Sequence, residues 1–243
     1  MRFTAETSSN GVVERDFHLG DVPGVLWSPE QPSTNAPLIL MGHGGGLHKK
    51  TPAMAARARE AVTTWGFRVV AIDAPGHGDR PRTSEDDQAR DDMRQAMTTG
   101  DKERFKEVSI GYISGMTKRA VPEWQATIDA IGDGAPIGYG GGISMGTAIG
   151  IPLTAADSRV RAAIFGGGFF VYDELVESAR RITVPVQFLL PWDDEQVDRQ
   201  SSLALFDAFT SAEKTLHANP GDHRRIRWVG VDDGFLARHL GRV

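Results

Sequence analysis

One short run, Gly142-Ile143-Ser144-Met145-Gly146, constrains this chain more than any other. It follows an apolar stretch with strand character, Pro136 to Tyr139, and precedes a helix-like stretch, Thr147 to Ala156. A chain that leaves a strand and enters a helix within so few residues must turn sharply. The central residue then takes a strained backbone conformation. The flanking glycines have no Cβ, so neighbouring chain can pass close by. The serine hydroxyl stands clear at a helix N-terminus, where negative charge is stabilised. The chain has 28 glycines, so a lone G-x-S-x-G carries little weight. Its context has to decide.

That context is an alternation of short apolar runs and longer helical patterns, which predicts a mostly parallel sheet of about eight strands flanked by helices. Val12 to Phe17 and Val22 to Trp27 read as an opening pair of strands. Pro37 to Met41 is a buried strand ending in His43-Gly44-Gly45-Gly46. Thr51 caps the next helix, with Pro52 at its first position and Gly66 past its end. Met54, Ala58, Ala61, Val62 and Trp65 share one face of that helix. Arg68 to Ile72 is a strand closed by Asp73-Ala74-Pro75-Gly76-His77-Gly78.

Residues 81–120 carry many charges and few strand signals. Ser84, followed by Glu85, Asp86 and Asp87, reads as a helix start with acids in its first turn. The segment is either a helical insertion over the sheet edge, a small lid, or a solvated helical crossover. Asp101 to Arg104 reads as a solvated helix face. Pro122 is expected to open a further helix, and Pro152 to kink or shorten the one after the elbow. Val160 to Phe165, Val184 to Leu190 and Lys214 to Ala218 are three more strands. Asp173 to Ile182, Arg199 to Phe209 and Asp233 to Leu240 are helices around them. Residues 1–243 read as one domain, with no linker and no repeat.

Composition narrows the function classes. The net charge is −5 and there is no cysteine. Disulfides, thiolate metal sites and a cysteine nucleophile are thereby excluded. No Lys/Arg cluster points to nucleic acid. No apolar run approaches the roughly 20 residues that span a bilayer. The N-terminus lacks the apolar core of a signal peptide, which predicts a cytoplasmic protein. The sequence is also compatible with a homodimer.

A serine hydroxyl needs a base to take its proton, and the base is most often a histidine oriented by a carboxylate. Of the seven histidines, His223 is best placed, in a loop after a strand and the turn Pro220-Gly221-Asp222. His217 lies within the preceding strand and His239 on the terminal helix, where exposure is expected. Asp194 in Pro191-Trp192-Asp193-Asp194-Glu195 is the first choice for the carboxylate, with Asp193 the alternative. The backbone N–H groups of Met145 and Gly45 are the candidates to hold an oxyanion. His43 is expected to brace the Gly45 loop, and Asp73 to hydrogen-bond its own turn. His77, Phe169, Phe170 and Trp192 fall near strand ends on the same side. The three aromatics read either as substrate-pocket walls or as core.

Taken together, these motifs resemble the α/β-hydrolase superfamily along most of the chain. The resemblance rests on His43-Gly44-Gly45-Gly46, the 73–78 turn, the elbow at 142–146, the Asp193-Asp194 turn and the His223 loop, all in family order. The small size is similar to that of the dienelactone-hydrolase-like and small carboxylesterase branches. The resemblance implies Ser144 as nucleophile, His223 as base and Asp194 as acid. Dienelactone hydrolases carry cysteine in the elbow, so serine here points instead to hydrolysis of small to medium carboxylic esters, with no cofactor or metal. The family often has a second glycine after the elbow, where this chain has Thr147. The same residues would serve C–C, thioester, lactone or amide hydrolysis, or acyl transfer. A non-catalytic ligand-binding relative is the remaining alternative.

Overall fold

A computed structural model describes residues 1–142, 144–222, 226 and 228–241. Its strands join one sheet of nine, ordered β1-β2-β3-β5-β4-β6-β7-β8-β9. The strand not anticipated is β1 (Arg2–Ser9), exposed at every residue. With neither face buried, it shows none of the alternation that marks a half-buried strand. Its signal lies in the turn that follows. Asn10 and Gly11 both have positive φ, 53° and 77°, the geometry of a tight hairpin into β2 (Val12–Leu19). β3 (Val22–Pro29) continues the antiparallel meander.

Six parallel strands follow: β4 (Leu38–Met41), β5 (Arg68–Ile72), β6 (Ile137–Gly140), β7 (Val160–Gly166), β8 (Val186–Pro191) and β9 (Lys214–Asn219). Between them run α1 (Pro52–Trp65), α2 (Ser84–Thr99), α3 (Lys102–Ile131), α4 (Met145–Ala156), α5 (Asp173–Ala179) and α6 (Arg199–Ala208), and α7 (Phe235–Leu240) follows β9. Strand residues alternate between two apolar layers, as their period of two requires. Leu38, Leu40, Val70 and Ile72 join the layer beneath α3 and α4. Ile39, Met41, Val69 and Ala71 join the layer that Met54 and Val62 of α1 and Phe235 of α7 complete. Burial on both faces explains why these strands read as continuous apolar runs.

Pro122 does not act as expected, and Pro152 does not shorten its helix. Pro122 lies inside α3, a helix of 30 residues, and does not open a new one. Its missing N–H removes one backbone bond. Met116, Thr117, Ala120, Trp124, Thr127 and Ile128 are buried on both sides of it, and this packing carries the helix through. Pro152 likewise leaves α4 running on to Ala156, with Ile151, Leu153 and Thr154 buried around it.

Residues 81–120 form α2 and the first half of α3, an antiparallel helical pair. Thr83 caps α2 in a reciprocal box with Asp86, so the cap lies one residue before the expected start. Asp101 caps α3, and Lys102, Glu103 and Arg104 face solvent.

The order β5-β4-β6 places a topological switch between β4 and β6. Loops leaving the C-terminal ends of these two strands part there and leave a crevice, the usual ligand position in an open α/β sheet. Fully buried Tyr139, from β6, runs beneath this crevice. A Cβ at Gly42, Gly141 or Gly150 would collide with its ring or hydroxyl. Its hydroxyl donates to the Gly146 carbonyl at 2.5 Å.

Gly150→Ala is therefore expected to lose about 1–3 kcal/mol through overpacking. Gly111→Ala, on an exposed turn of α3 with open space around it, is expected to gain about 0.5–1 kcal/mol. Urea denaturation of both variants measures the difference; equal midpoints would show that the tyrosine slot has slack.

Candidate active site

The elbow itself comes first. Ser144 has φ 64° and ψ −127°, a sparsely populated conformation for a residue with a side chain, and it immediately precedes α4. Surrounding structure fixes that strain in place. The Ser144 N–H donates to the Gly167 carbonyl at 2.9 Å, and the Gly141 N–H to the Ile164 carbonyl at 3.1 Å. A Cβ on Gly146 would collide with the Gly141 carbonyl oxygen, so this position admits glycine alone. Thr147, buried where a second glycine is common, is a working part of the turn. Its hydroxyl donates to the Gly142 carbonyl at 3.0 Å and accepts from the Gly166 N–H at 2.8 Å. It thereby ties the elbow to the end of β7.

Ser144 opens into a cavity of about 280 Å³. Gly45 and Gly46 form one wall, Phe169 and Phe170 another, and Arg90, Tyr112 and Ile113 of the helical pair roof it. Met145, the first residue of α4, presents its N–H in the helix's first turn, where no intrahelical acceptor exists. A neighbouring cavity of about 410 Å³ lies between the α2–α3 turn and residues 195–201. The two share Phe105, Phe170, Gln196 and Val197. Phe105 and Phe170 meet edge to face at 5.8 Å along that shared wall. Trp192 does not line either cavity. It is 40% exposed and lies against the Arg199 guanidinium at 4.1 Å.

The glycine loop after β4 is held by buried polar groups. His43 Nε2 accepts from the Ala74 N–H at 3.0 Å, so the proton sits on Nδ1, which donates to the Gly44 carbonyl at 2.9 Å. Burial holds its pKa down to about 4. His77 lines the cavity and is also held neutral, with burial the main cause of its lowered pKa. Its Nδ1–H donates to the Pro75 carbonyl at 3.0 Å, and its Nε2 accepts from Arg90 Nη2 at 3.2 Å. Both rings thus have both nitrogens engaged.

Asp73 is fully buried and accepts from the Lys49 N–H, the Lys49 ammonium and the Asp79 N–H at 2.8, 2.7 and 3.0 Å. The carboxylate fills the place a Gly78 side chain would need. This buried pair fastens the 73–79 turn to the end of the glycine loop. Lys49 is held charged: its hydrogen bonds to Asp73 and Asp79 outweigh the burial that opposes it and raise its pKa.

The two aspartates after β8 have different partners. Asp193 accepts from the Gly221 N–H at 3.0 Å, and its own N–H donates to the Gly221 carbonyl at 3.2 Å. The Trp192 N–H also donates to the Asn219 carbonyl at 2.9 Å. These bonds lash the loop after β8 to the loop after β9. Asp194 Oδ1 instead accepts from the N–H groups of Gln196 and Val197, which places those residues at the cavity. His223 lies outside the described residues; the loop that leads to it, through Gly221 and Asp222, leaves the sheet beside Asp193. Among the other histidines, His217 lies in β9. His239 is half-buried against Phe235 and Glu213, more enclosed than its terminal helix led us to expect.

Arg90 and Tyr112 were not singled out by sequence reading, and Thr147 was noted without a role. Thr147 stood in the sequence as a departure from glycine. Arg90 lay among many charges of α2, and nothing local distinguished it from the solvated ones.

The neutral His43 has a pH consequence. An unfolded chain protonates this ring near 6.5, whereas the native state resists until about 4. Its contribution to stability is complete above about pH 6.5 and is lost as pH falls toward 4, by up to roughly 3 kcal/mol. Urea denaturation between pH 7 and 4.5 should show a decline that is shallower in His43→Gln; parallel curves would refute it.

Solved structures supply the comparison. A cold-adapted esterase from an Arctic intertidal metagenomic library, in a polyethylene-glycol-bound complex, is 34% identical with a TM-score of 0.73. The match covers 93% of this chain and 92% of that one. A zinc-bound cold-adapted esterase, also from an Arctic intertidal library, is 29% identical with a TM-score of 0.68, over 99% of this chain and 100% of that one. An esterase from Pyrococcus furiosus, 13% identical with a TM-score of 0.62 over 99% and 93% of the two chains, shares the fold. No protein-family model and no curated protein sequence matches the chain. With a strained serine elbow at the switch point of its sheet and this likeness over nearly its whole length, the chain belongs to the α/β-hydrolase superfamily, in the branch of its small esterases.

Proposed function

We propose that the protein is a serine hydrolase of small to medium carboxylic esters, working through an acyl-enzyme. The observation that carries this reading is Ser144, held at φ 64° at the head of α4 and opening into the cavity that Gly45 and Gly46 border. In the reaction, the Ser144 hydroxyl attacks the ester carbonyl while His223 takes its proton. The N–H groups of Gly45 and Met145 receive the oxyanion. Collapse of the tetrahedral intermediate expels the alcohol, protonated by His223. Water, deprotonated by the same ring, then releases the acid and regenerates Ser144. Asp194 holds the ring's tautomer and balances its charge. The cycle needs no cofactor.

Elimination supports His223 as base. His77, which lines the Ser144 cavity, and His43, whose ring centre lies 5.6 Å from that of His77, have no lone pair free. Each aspartate commits one carboxylate oxygen to backbone, Asp193 to the Gly221 N–H and Asp194 to the N–H groups of Gln196 and Val197. That Gln196 and Val197 line the Ser144 cavity supports Asp194 as the acid, with Asp193 the alternative.

Ser144→Ala is expected to retain the fold by circular dichroism while turnover of p-nitrophenyl acetate falls at least roughly 1,000-fold. Labelling by a fluorophosphonate probe should disappear with it. Full activity in this variant would overturn the mechanism. Asp194→Asn is expected to lower kcat by about 100-fold or more. Asp193→Asn should chiefly reduce stability, and the opposite pattern would reassign the acid.

A further inference from the structure

The roof of the Ser144 cavity contains an arginine without an acid. α2 carries a row of carboxylates, and other arginines engage them. Arg119 holds Asp86 through two bonds of 3.2 and 2.6 Å. Arg82 pairs with Asp87, Arg94 with Asp91, and Arg104 with Asp92. Arg90 has no ion pair with any described residue. Its one hydrogen bond runs from Nη2 to neutral His77, and its Nε is buried with no acceptor. Tyr112, one helix over, has a buried hydroxyl that also lacks a partner among the described residues. The Arg90 guanidinium carbon lies 5.9 Å from the centre of the Tyr112 ring. Both side chains line the same cavity as Ser144, and no Asp or Glu is among the described residues that line it.

Buried donors without acceptors are costly, and a charged one more so. Both side chains line one cavity, where the guanidinium charge has no acid among the described residues and a small side-chain shift would turn these buried donors toward a bound anion. A guanidinium edge fits a carboxylate in a planar, two-pronged geometry. The tyrosine hydroxyl adds a third donor. The cavity of about 280 Å³ has room for a small ester and one such group.

Building on the esterase reading, we propose that Arg90 and Tyr112 form a subsite for an ionised carboxylate of the substrate. The preferred substrates are then esters that bear a second, free carboxylate, on either the acyl or the alcohol side. The helical pair thus selects substrate by charge as well as covering the nucleophile.

Matched esters test this. Monoethyl glutarate against ethyl hexanoate places the charge on the acyl side, and acetoxyacetate against its methyl ester places it on the alcohol side. In at least one pair the wild-type kcat/KM should favour the anion by about 10-fold or more. Arg90→Gln should erase that preference by about 10- to 100-fold, mainly through KM, with partial recovery in Arg90→Lys and a smaller effect in Tyr112→Phe. No preference in either pair, or an equal loss on both members in Arg90→Gln, would overturn the subsite. Calorimetric binding of glutarate to the wild type, weakened in Arg90→Gln, gives a readout independent of turnover; equal binding would also overturn it. The two readings separate cleanly. Turnover of neutral esters without any effect at Arg90 refutes the subsite alone. Arg90-dependent glutarate binding without turnover of any ester supports the subsite and refutes the Ser144 mechanism.

Discussion

Everything at this site depends on how Tyr139 is seated. Its ring occupies a slot left by glycines from three segments of chain, and its hydroxyl reaches the carbonyl of Gly146 at 2.5 Å. Because the ring is wholly buried, that hydroxyl must find an acceptor inside the protein. The acceptor it finds is a carbonyl of the elbow. Burial also raises the phenol's pKa, so it stays protonated and remains a donor. Ser144 can hold a positive φ only because the residues around it cannot relax. Tyr139 beneath, Thr147 beside, and the Gly167 carbonyl accepting from the Ser144 N–H together remove that freedom.

The electrostatics follow the same logic of groups engaged and groups left open. Asp73 and Lys49 satisfy each other deep in the loop that carries Gly45, and His43 spends both ring nitrogens on backbone. Such groups organise the pocket but have nothing left to offer a ligand. Arg90 and Tyr112 are the reverse. Their side chains line the pocket, while Arg90 Nε and the Tyr112 hydroxyl, both buried, have no partner among the described residues. A burial pattern alone would treat both kinds as buried polar residues. Only the list of partners separates scaffold from recognition surface.

Much of the architecture could be read from the amino acids, because its strongest signals are local. The inner parallel strands β4, β5 and β8 carry near-continuous apolar runs; α1 is bracketed by Pro52 and Gly66, and the elbow announces itself through two glycines and a serine. Pro122 misled because helix-breaking is also a local rule, while the decision there was made by packing of Trp124, Ile128 and Met116 against the sheet. β1 was missed for a related reason: it buries nothing, and the Asn10-Gly11 turn was the only mark it left. At the site, residues on strand ends were accessible to spacing and order. Arg90 and Tyr112 were not, since their significance lies in neighbours from other elements that the sequence of neither α2 nor α3 reveals.

The exposed first strand has a further effect. It meets β2 through backbone bonds, with Phe3 edge-on to Phe17 as its aromatic contact. Peeling it away uncovers little apolar surface, so the opening free energy there is small compared with that of the central strands. Native-state hydrogen exchange would therefore divide the sheet into a fast outer ribbon and a slow interior. The fast part is the one farthest in sheet order from the C-terminal strands that carry the Asp193–Gly221 tie.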